Sequence, residues 1–210
     1  MYTVIYYSNS ALDRKLQEYC LEVLTSSLLS SKAQLVTITW SPIDYGENHI
    51  WTPKRHPYSN IYGQILKGIG LAKYETVFLA EHDVLYPESH FDLKDSQELK
   101  EGYILYNSNV YHLNKEGFFK AHDHNFLSTL VSDRYILDRG IRAKLRELYK
   151  THKVIWAEPE GPNGYKRIEG EHPIVDIRHE SNLTGSRTST SYETHAQNFW
   201  HLSEIQPEIF

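Results

Sequence analysis

ETVFLAEHDVLYP, residues 75–87, runs from an apolar segment straight into three ionisable side chains. Glu75 to Ala80 is short, apolar and rich enough in β-favouring residues to form a buried strand. Glu81-His82-Asp83 then falls at the carboxyl end of that strand. In open α/β sheets, ligands bind just outside those ends. A buried strand that delivers Glu, His and Asp at its end therefore predicts a site as well as an element.

The flanking sequence supplies the rest of such a sheet. Tyr2 to Tyr7 is β-branched and aromatic and predicts a first strand. Ser10 to Asp13 resembles a capping box, followed by Leu12, Leu16, Tyr19, Cys20, Val23 and Leu24 at helical spacing. Leu35 to Trp40 predicts a second strand. Strand, helix and strand in succession make a βαβ unit, which implies a parallel sheet. Ser41 to Tyr58 carries three prolines and no clear period, and is expected to be a loop. Ile61, Ile65, Ile69 and Ala72 form a second helical stripe, with Gly68 and Gly70 permitting close packing.

Downstream, Tyr103–Tyr106 and Val110–Leu113 flank Asn107-Ser108-Asn109 and predict a hairpin. A long helix is expected from about Asn125, with Leu127, Leu130, Val131, Leu137, Ile141, Leu145 and Leu148 on its stripe and Gly140 as a bend. Lys153–Ala157 predicts another short strand, Pro159–Gly170 a loop, and the chain from Asp176 a polar tail. No internal repeat and no dividing linker occur. The expectation is one α/β domain over residues 1–210, with a mostly parallel sheet flanked by helices.

Bulk properties narrow the function. A chain of 210 residues is one domain by default. A net charge of −5 argues against broad affinity for nucleic acid, which needs many basic contacts to phosphate. A single cysteine, Cys20, excludes an intramolecular disulfide and fits a reducing cytoplasm. MYTVIYYSNS lacks the basic and apolar regions of a signal peptide, and no run is long enough to span a membrane. A cytoplasmic location is expected. Sixteen tyrosines suit stacking on bases or sugars, and equally suit half-exposed strand positions.

Three stretches carry chemistry. On an extended backbone Glu81 and Asp83 project together while His82 points away. Two hard oxygen donors suit Mg²⁺ or Mn²⁺. Such an ion neutralises a diphosphate leaving group as charge builds on it. The competing reading is a solvated strand end. In DIRHESNLTGSRTS, residues 176–189, His179 offers an imidazole to the same metal. Arg178 and Arg187 offer forked donors to phosphate, and Gly185 gives an anion access to backbone amides. The competing reading is a polar tail. His122, Asp123 and His124 precede the predicted long helix, as candidates for a general base or for a helix cap. Arg134 falls on the apolar stripe, where a guanidinium must be paired.

Together these residues resemble glycosyltransferases of the GT-A fold. In that family a short acidic motif closing a strand of a nucleotide-binding α/β half holds the metal, and a late histidine adds a ligand. Glu81-His82-Asp83 matches the motif with Glu in first place, and His179 matches the histidine. The resemblance implies a Rossmann-type sheet, with a nucleotide-binding half of about 1–115 and an acceptor half of about 116–210. It implies Mn²⁺ or Mg²⁺ on Glu81, Asp83 and His179. A nucleotide sugar, with UDP as the expected nucleotide, would meet Tyr6, Ser8, Asn9, Glu81 and Arg187. Asp123 or His124 is the candidate base, although no acidic pair matches the family's usual base motif.

The layout YSNIYGQILKGIGLAKYETVFLAEHDVLYP followed by RHESNLTGSR is similar, more narrowly, to small phage-type enzymes. Some of these modify 5-hydroxymethylcytosine in DNA. That resemblance implies a DNA acceptor in a host cytoplasm, tracked by Lys54, Arg55, Lys166 and Arg167. The rival functions are a glycosyltransferase acting on glycans, a metal-dependent nucleotidyltransferase or phosphohydrolase, and a non-catalytic carbohydrate- or nucleotide-binding module.

Overall fold

The first strand, β1 (Thr3–Ser8), is buried along its whole length, and its side chains alternate between two apolar layers. Val4 and Tyr6 pack into one layer, Ile5 and Tyr7 into the other. A computed structural model of the chain describes residues 1–54, 56–114, 117–121, 124–153, 158–178 and 199–200. After β1 come α1 (Arg14–Leu28), β2 (Gln34–Thr39), β3 (Glu47–Ile50), α2 (Pro57–Leu71), β4 (Thr76–Glu81) and β5 (Val84–Leu85). A 3-10 segment, Glu88–Asp95, leads to α3 (Gln97–Lys100), β6 (Ile104–Asn107), β7 (Val110–Asn114) and β8 (Gly117–Lys120). The chain continues with β9 (Leu130–Asp133), α4 (Arg134–Thr151), β10 (Tyr165–Ile168) and β11 (Ile174–Ile177).

Seven strands form one sheet in the order β10-β6-β9-β4-β1-β2-β3. β9 runs antiparallel to its neighbours β4 and β6, and every other pairing in that sheet is parallel. α1, the 3-10 segment and α3 pack on the layer of Tyr2, Val4, Tyr6 and Phe78. α2 and α4 pack on the layer of Ile5, Val77 and Leu79. The mixed α/β class, the single domain and the mostly parallel sheet flanked by helices are as expected. A second sheet, in the order β5-β11-β7-β8, stands at the carboxyl end of β4. The expected nucleotide and acceptor halves both contribute strands to both sheets.

Several local expectations are corrected. α1 is capped by Asp13, whose carboxylate accepts from the amides of Lys15 and Leu16, rather than by a box opening at Ser10. The expected loop 41–58 contains β3 and the start of α2, with Pro57 in its first turn. Leu127, Leu130 and Val131 do not begin the long helix, and Leu127 opens only a 3-10 turn, Leu127–Thr129. Leu130 and Val131 lie in β9, and α4 starts only at Arg134 behind the cap Asp133. A short apolar run fits either period, and a vacancy between β4 and β6 decides for strand.

β6 and β7 are not a hairpin but enter different sheets. Asn107 and Asn109 make the change of direction, bonding Gly170 through side chains of both. The loop 159–170 holds β10, and the polar tail begins later than Asp176, which is buried in β11. Of the expected strand Lys153–Ala157, residues 154–157 lie outside the described residues. Arg134 is paired structurally: its Nη1 donates to the Ala72 carbonyl at 2.6 Å, at the end of α2.

Candidate active site

The strand order reverses beside β1, because the chain goes outward to β2 and β3 and then returns to place β4 on the other side. Such a switch point splays the loops at the carboxyl ends of the strands and leaves a crevice there. Gln64 of α2 fixes that crevice. Its Nε2 donates to the carbonyls of Ser8 (2.8 Å) and Ile38 (2.7 Å), at the ends of β1 and β2. With Asn60 it is one of two buried amides on a largely apolar helix, and that misfit was a signal the sequence offered.

A cavity of about 320 Å³ opens at this point, within the range of ligand sites. Tyr7, Ser8 and Asn9 at the end of β1, Glu81, His82 and Asp83 at the end of β4, and Asp176 and Arg178 at the end of β11 line it. Tyr58 and Ile61 of α2 and Phe126 supply apolar walls, and Lys54 and Glu158 stand at it too. All three residues of the acidic cluster reach the cavity. The expected alternation fails because β4 stops at Glu81 and the next two residues turn.

Glu81 accepts a hydrogen bond from the Tyr7 hydroxyl. Burial, then the charge of Asp83, and further those of Asp176 and Glu158, push the Glu81 carboxyl up to about 8. Asp83 is 6% exposed, and its backbone carbonyl accepts from the Ile177 amide at 2.8 Å. That bond and the pairing of β5 with β11 bring Asp176 beside the acidic cluster. Asp176 Oδ2 lies 3.0 Å from Arg178 Nη2 and 3.3 Å from His112 Nδ1. Arg178 lies along the His112 ring, its Nε 2.9 Å from Nδ1. Sequence reasoning missed Asp176 and His112 because only the second sheet brings them to β4, and Glu158 because it reaches the cavity from the chain after α4.

Four carboxylates, Glu81, Asp83, Glu158 and Asp176, line one cavity, and with one of them driven toward its protonated form they are a donor set short of positive charge. Hard oxygen donors in that state fit Mg²⁺ or Mn²⁺. Among the described residues, no group of three or more His, Cys, Asp or Glu is arranged to hold a metal ion by itself. His179, the expected further ligand, lies outside the described residues, as do Arg187, Arg55 and the candidate base Asp123.

The remaining predicted residues divide. Ser8 and Asn9 line the cavity, but Tyr6 does not. Its ring faces the α1 layer and its hydroxyl accepts from Gln17 Nε2 at 3.1 Å. Strand alternation gives the cavity to Tyr7 instead. His124 is exposed, its ring 6.4 Å from that of Phe126 on the cavity wall. Lys54 lines the cavity, held by Asn60, whose Oδ1 accepts from the Lys54 amide at 2.5 Å. Lys166 and Arg167 do not line it. They sit on β10, at the sheet edge opposite β3, Lys166 over the Tyr103 ring and Arg167 donating to Asn125. Lys166 and Arg167 therefore do not form one patch with Lys54.

No family model matches the chain, and no curated protein matches it in sequence. In fold it is similar to the glycosyltransferase GlyE of Streptococcus pneumoniae TIGR4. The TM-score is 0.52 at 10% identity, over 80% of this chain and 45% of GlyE. The apo form of GlyE gives 0.50 at 12% identity, over 80% and 44%. The chain thus spans less than half the length of GlyE. Weaker likenesses join it to the galactosyltransferase LgtC in complex with donor and acceptor sugar analogues, at TM-score 0.47, 12% identity, 75% of this chain and 67% of that one. The inositol-1-phosphate CTP transferase of T. maritima gives 0.48 at 12% identity, over 88% and 92%. At these identities the shared feature is the fold alone.

Proposed function

We propose that the chain is a metal-dependent glycosyltransferase that moves a sugar from a nucleotide sugar to an acceptor hydroxyl. The observation that carries this reading is the convergence of Glu81, Asp83, Asp176 and Arg178 on the cavity at the switch point of the sheet. Glu81 and Asp83, with Asp176 and His179, would hold Mn²⁺ or Mg²⁺, which when bound supplies positive charge to a departing diphosphate. Arg178 and Arg187 would hold the diphosphate oxygens. Ser8 and Asn9 would meet the nucleoside, UDP being the first nucleotide to test. In the transfer, the bond from the anomeric carbon to the diphosphate oxygen breaks and a bond to the acceptor oxygen forms. The acceptor's proton passes to a base, for which Asp123 and His124 are the candidates.

The test is incubation with Mn²⁺ and a panel of nucleotide sugars, with hydroxymethylated DNA and simple glycans as alternative acceptors. Release of intact nucleoside diphosphate, abolished by a chelator, is the expected result. Pyrophosphate released from a nucleoside triphosphate and a sugar phosphate would instead mark a nucleotidyltransferase. Tight binding without turnover would mark a binding module. DNA as acceptor is the finer part of the proposal, and sugar transfer to glycans alone overturns only that part.

A further inference from the structure

α4 carries charge of the opposite sign to the rest of the chain. Six of the 22 Lys and Arg but only two of the 27 Asp and Glu lie in it. The helix is thus net +4, and the remainder of the chain is −9 where the whole is −5. Leu137, Gly140, Ile141 and Leu148 form its buried face, against α2 and the sheet. Tyr135, Arg139, Arg142, Arg146 and Tyr149 recur every three or four residues, and Lys150 stands beside the last of them. All six are exposed and share the opposite face. Arg142 is bonded to Asp138 at 2.7 Å. Among the described residues Arg139, Arg146 and Lys150 have no ion pair. Tyr135 and Tyr149, 62% and 58% exposed, are among the few large apolar side chains left open to solvent.

We propose that this face of α4 is a docking surface for anionic lipid headgroups, by which the protein adsorbs to a membrane surface. Three observations favour a planar anionic surface. A positive helix on a negative body is attracted by that helix and repelled elsewhere, so charge alone orients the molecule. Two tyrosines stand at the two ends of the row of arginines, and rings with an apolar body and a polar tip settle at headgroup level. The flanking Ile136, Asp138, Lys144 and Glu147 are half-buried, so α4 lies flat and presents one line of cations. A helix that reads base edges in duplex DNA must instead project into a groove. Adsorption here is electrostatic and needs no insertion, since the apolar face is committed to the core.

The geometry also orients the cavity. Arg134 ties the start of α4 to the end of α2, and the start of α2 lines the cavity. α4 therefore runs back toward the cavity end of the molecule, where Glu158 lines the cavity shortly after the helix ends. Docking along α4 would place the cavity mouth beside the membrane surface. This inference does not depend on which reaction the cavity performs.

The experiment is sedimentation of the full chain with vesicles of phosphatidylcholine alone and of phosphatidylcholine mixed with phosphatidylserine. Binding only to the mixed vesicles, weakening as salt rises, is expected. The variant R139A/R146A/K150A should lose about five-fold per residue, on the order of 10²-fold in all. Its thermal unfolding should be unchanged, because all three side chains are exposed. Y149S should weaken vesicle binding with the salt dependence retained. Absence of binding to the mixed vesicles, or equal binding by the triple variant, would overturn the proposal. So would tighter binding to duplex DNA than to the mixed vesicles at the same ionic strength, lost in the same variant.

Discussion

Asp83 lies where the backbone of the second sheet meets the acidic cluster. Its carbonyl bond to Ile177 is independent of its side chain, so removing the carboxylate leaves the junction in place. Asp83→Ala is expected to lower turnover by about 10²-fold or more, the scale of losing one electrostatic stabiliser at a reacting centre. Its urea unfolding should stay cooperative with a similar midpoint. Full turnover in the variant would remove Asp83 from the site. For the proposed ligand His179, replacement by Ala should raise the Mn²⁺ concentration needed for activity by ~10–100-fold. An unchanged metal titration leaves His179 without that role.

His90 is a separate case. It is wholly buried among Phe78, Tyr86 and Phe91, and its Nδ1 meets the Asn107 side chain at 3.3 Å. Burial pushes its pKa down to about 3. The folded protein therefore refuses a proton that the unfolded chain accepts below about 6.5. The stability that neutral His90 permits is full above that pH. It is lost as pH falls toward 3, at up to about 1.4 kcal/mol per unit. Urea unfolding of wild type and His90→Gln from neutral to acid pH checks this. The wild type should lose stability faster than the variant below about pH 6.5, and parallel curves would exclude His90 as the source.

At the scale of elements, α2 owes its close approach to β1 to Gly68 and not to Gly70. A Cβ at Gly68 would stand 2.3 Å from Ile5 Cγ2, whereas one at Gly70 would meet nothing within 4 Å. Gly68→Ala should destabilise by about 1–2 kcal/mol, overpacking outweighing the gain in helix propensity. Gly70→Ala should stabilise by about 0.5–1 kcal/mol. Urea unfolding of the pair decides it, and equal effects would contradict the packing.

The same contrast shows what one sequence can reveal. The βαβ start, the buried strand before Glu81 and the stripe of α2 were legible because each is a local period. β9 was not, because Leu130 and Val131 fit either period and only the gap between β4 and β6 chooses. Asp176 was not, because the strands that flank it in the second sheet, at Val84 and His112, are distant in sequence. Tyr6 was misassigned for a smaller reason. Alternation on β1 says that either Tyr6 or Tyr7 faces the ligand, and only the placement of α1 and α2 says which.

Over the whole molecule, the cavity has walls from both sheets: Tyr7 and Glu81 from the larger, Asp176 and Arg178 from the smaller. A ligand seated there binds only the assembled protein, so it should resist unfolding of both sheets together. At a concentration of 100 times its Kd, a nucleoside diphosphate with Mn²⁺ should add about 2.7 kcal/mol. For a chain of this size that is roughly 5–10 °C in Tm. Scanning calorimetry with each nucleoside diphosphate, with and without Mn²⁺, measures it and ranks the bases. In Asp83→Ala the metal-dependent part of the shift should vanish. Equal shifts for all nucleotides regardless of metal would place the ligand elsewhere.

The reversed strand β9 has a consequence for how the chain leaves the ribosome. β4 and β6 are complete by residue 107, but the strand that joins them ends only at Asp133. Until then the growing chain carries two apolar strands with their inner edges unpaired, each a template for pairing with another chain. A nascent protein stalled between those positions is therefore the form most exposed to aggregation. Synonymous changes that slow translation over that interval should lower soluble yield without altering the finished protein.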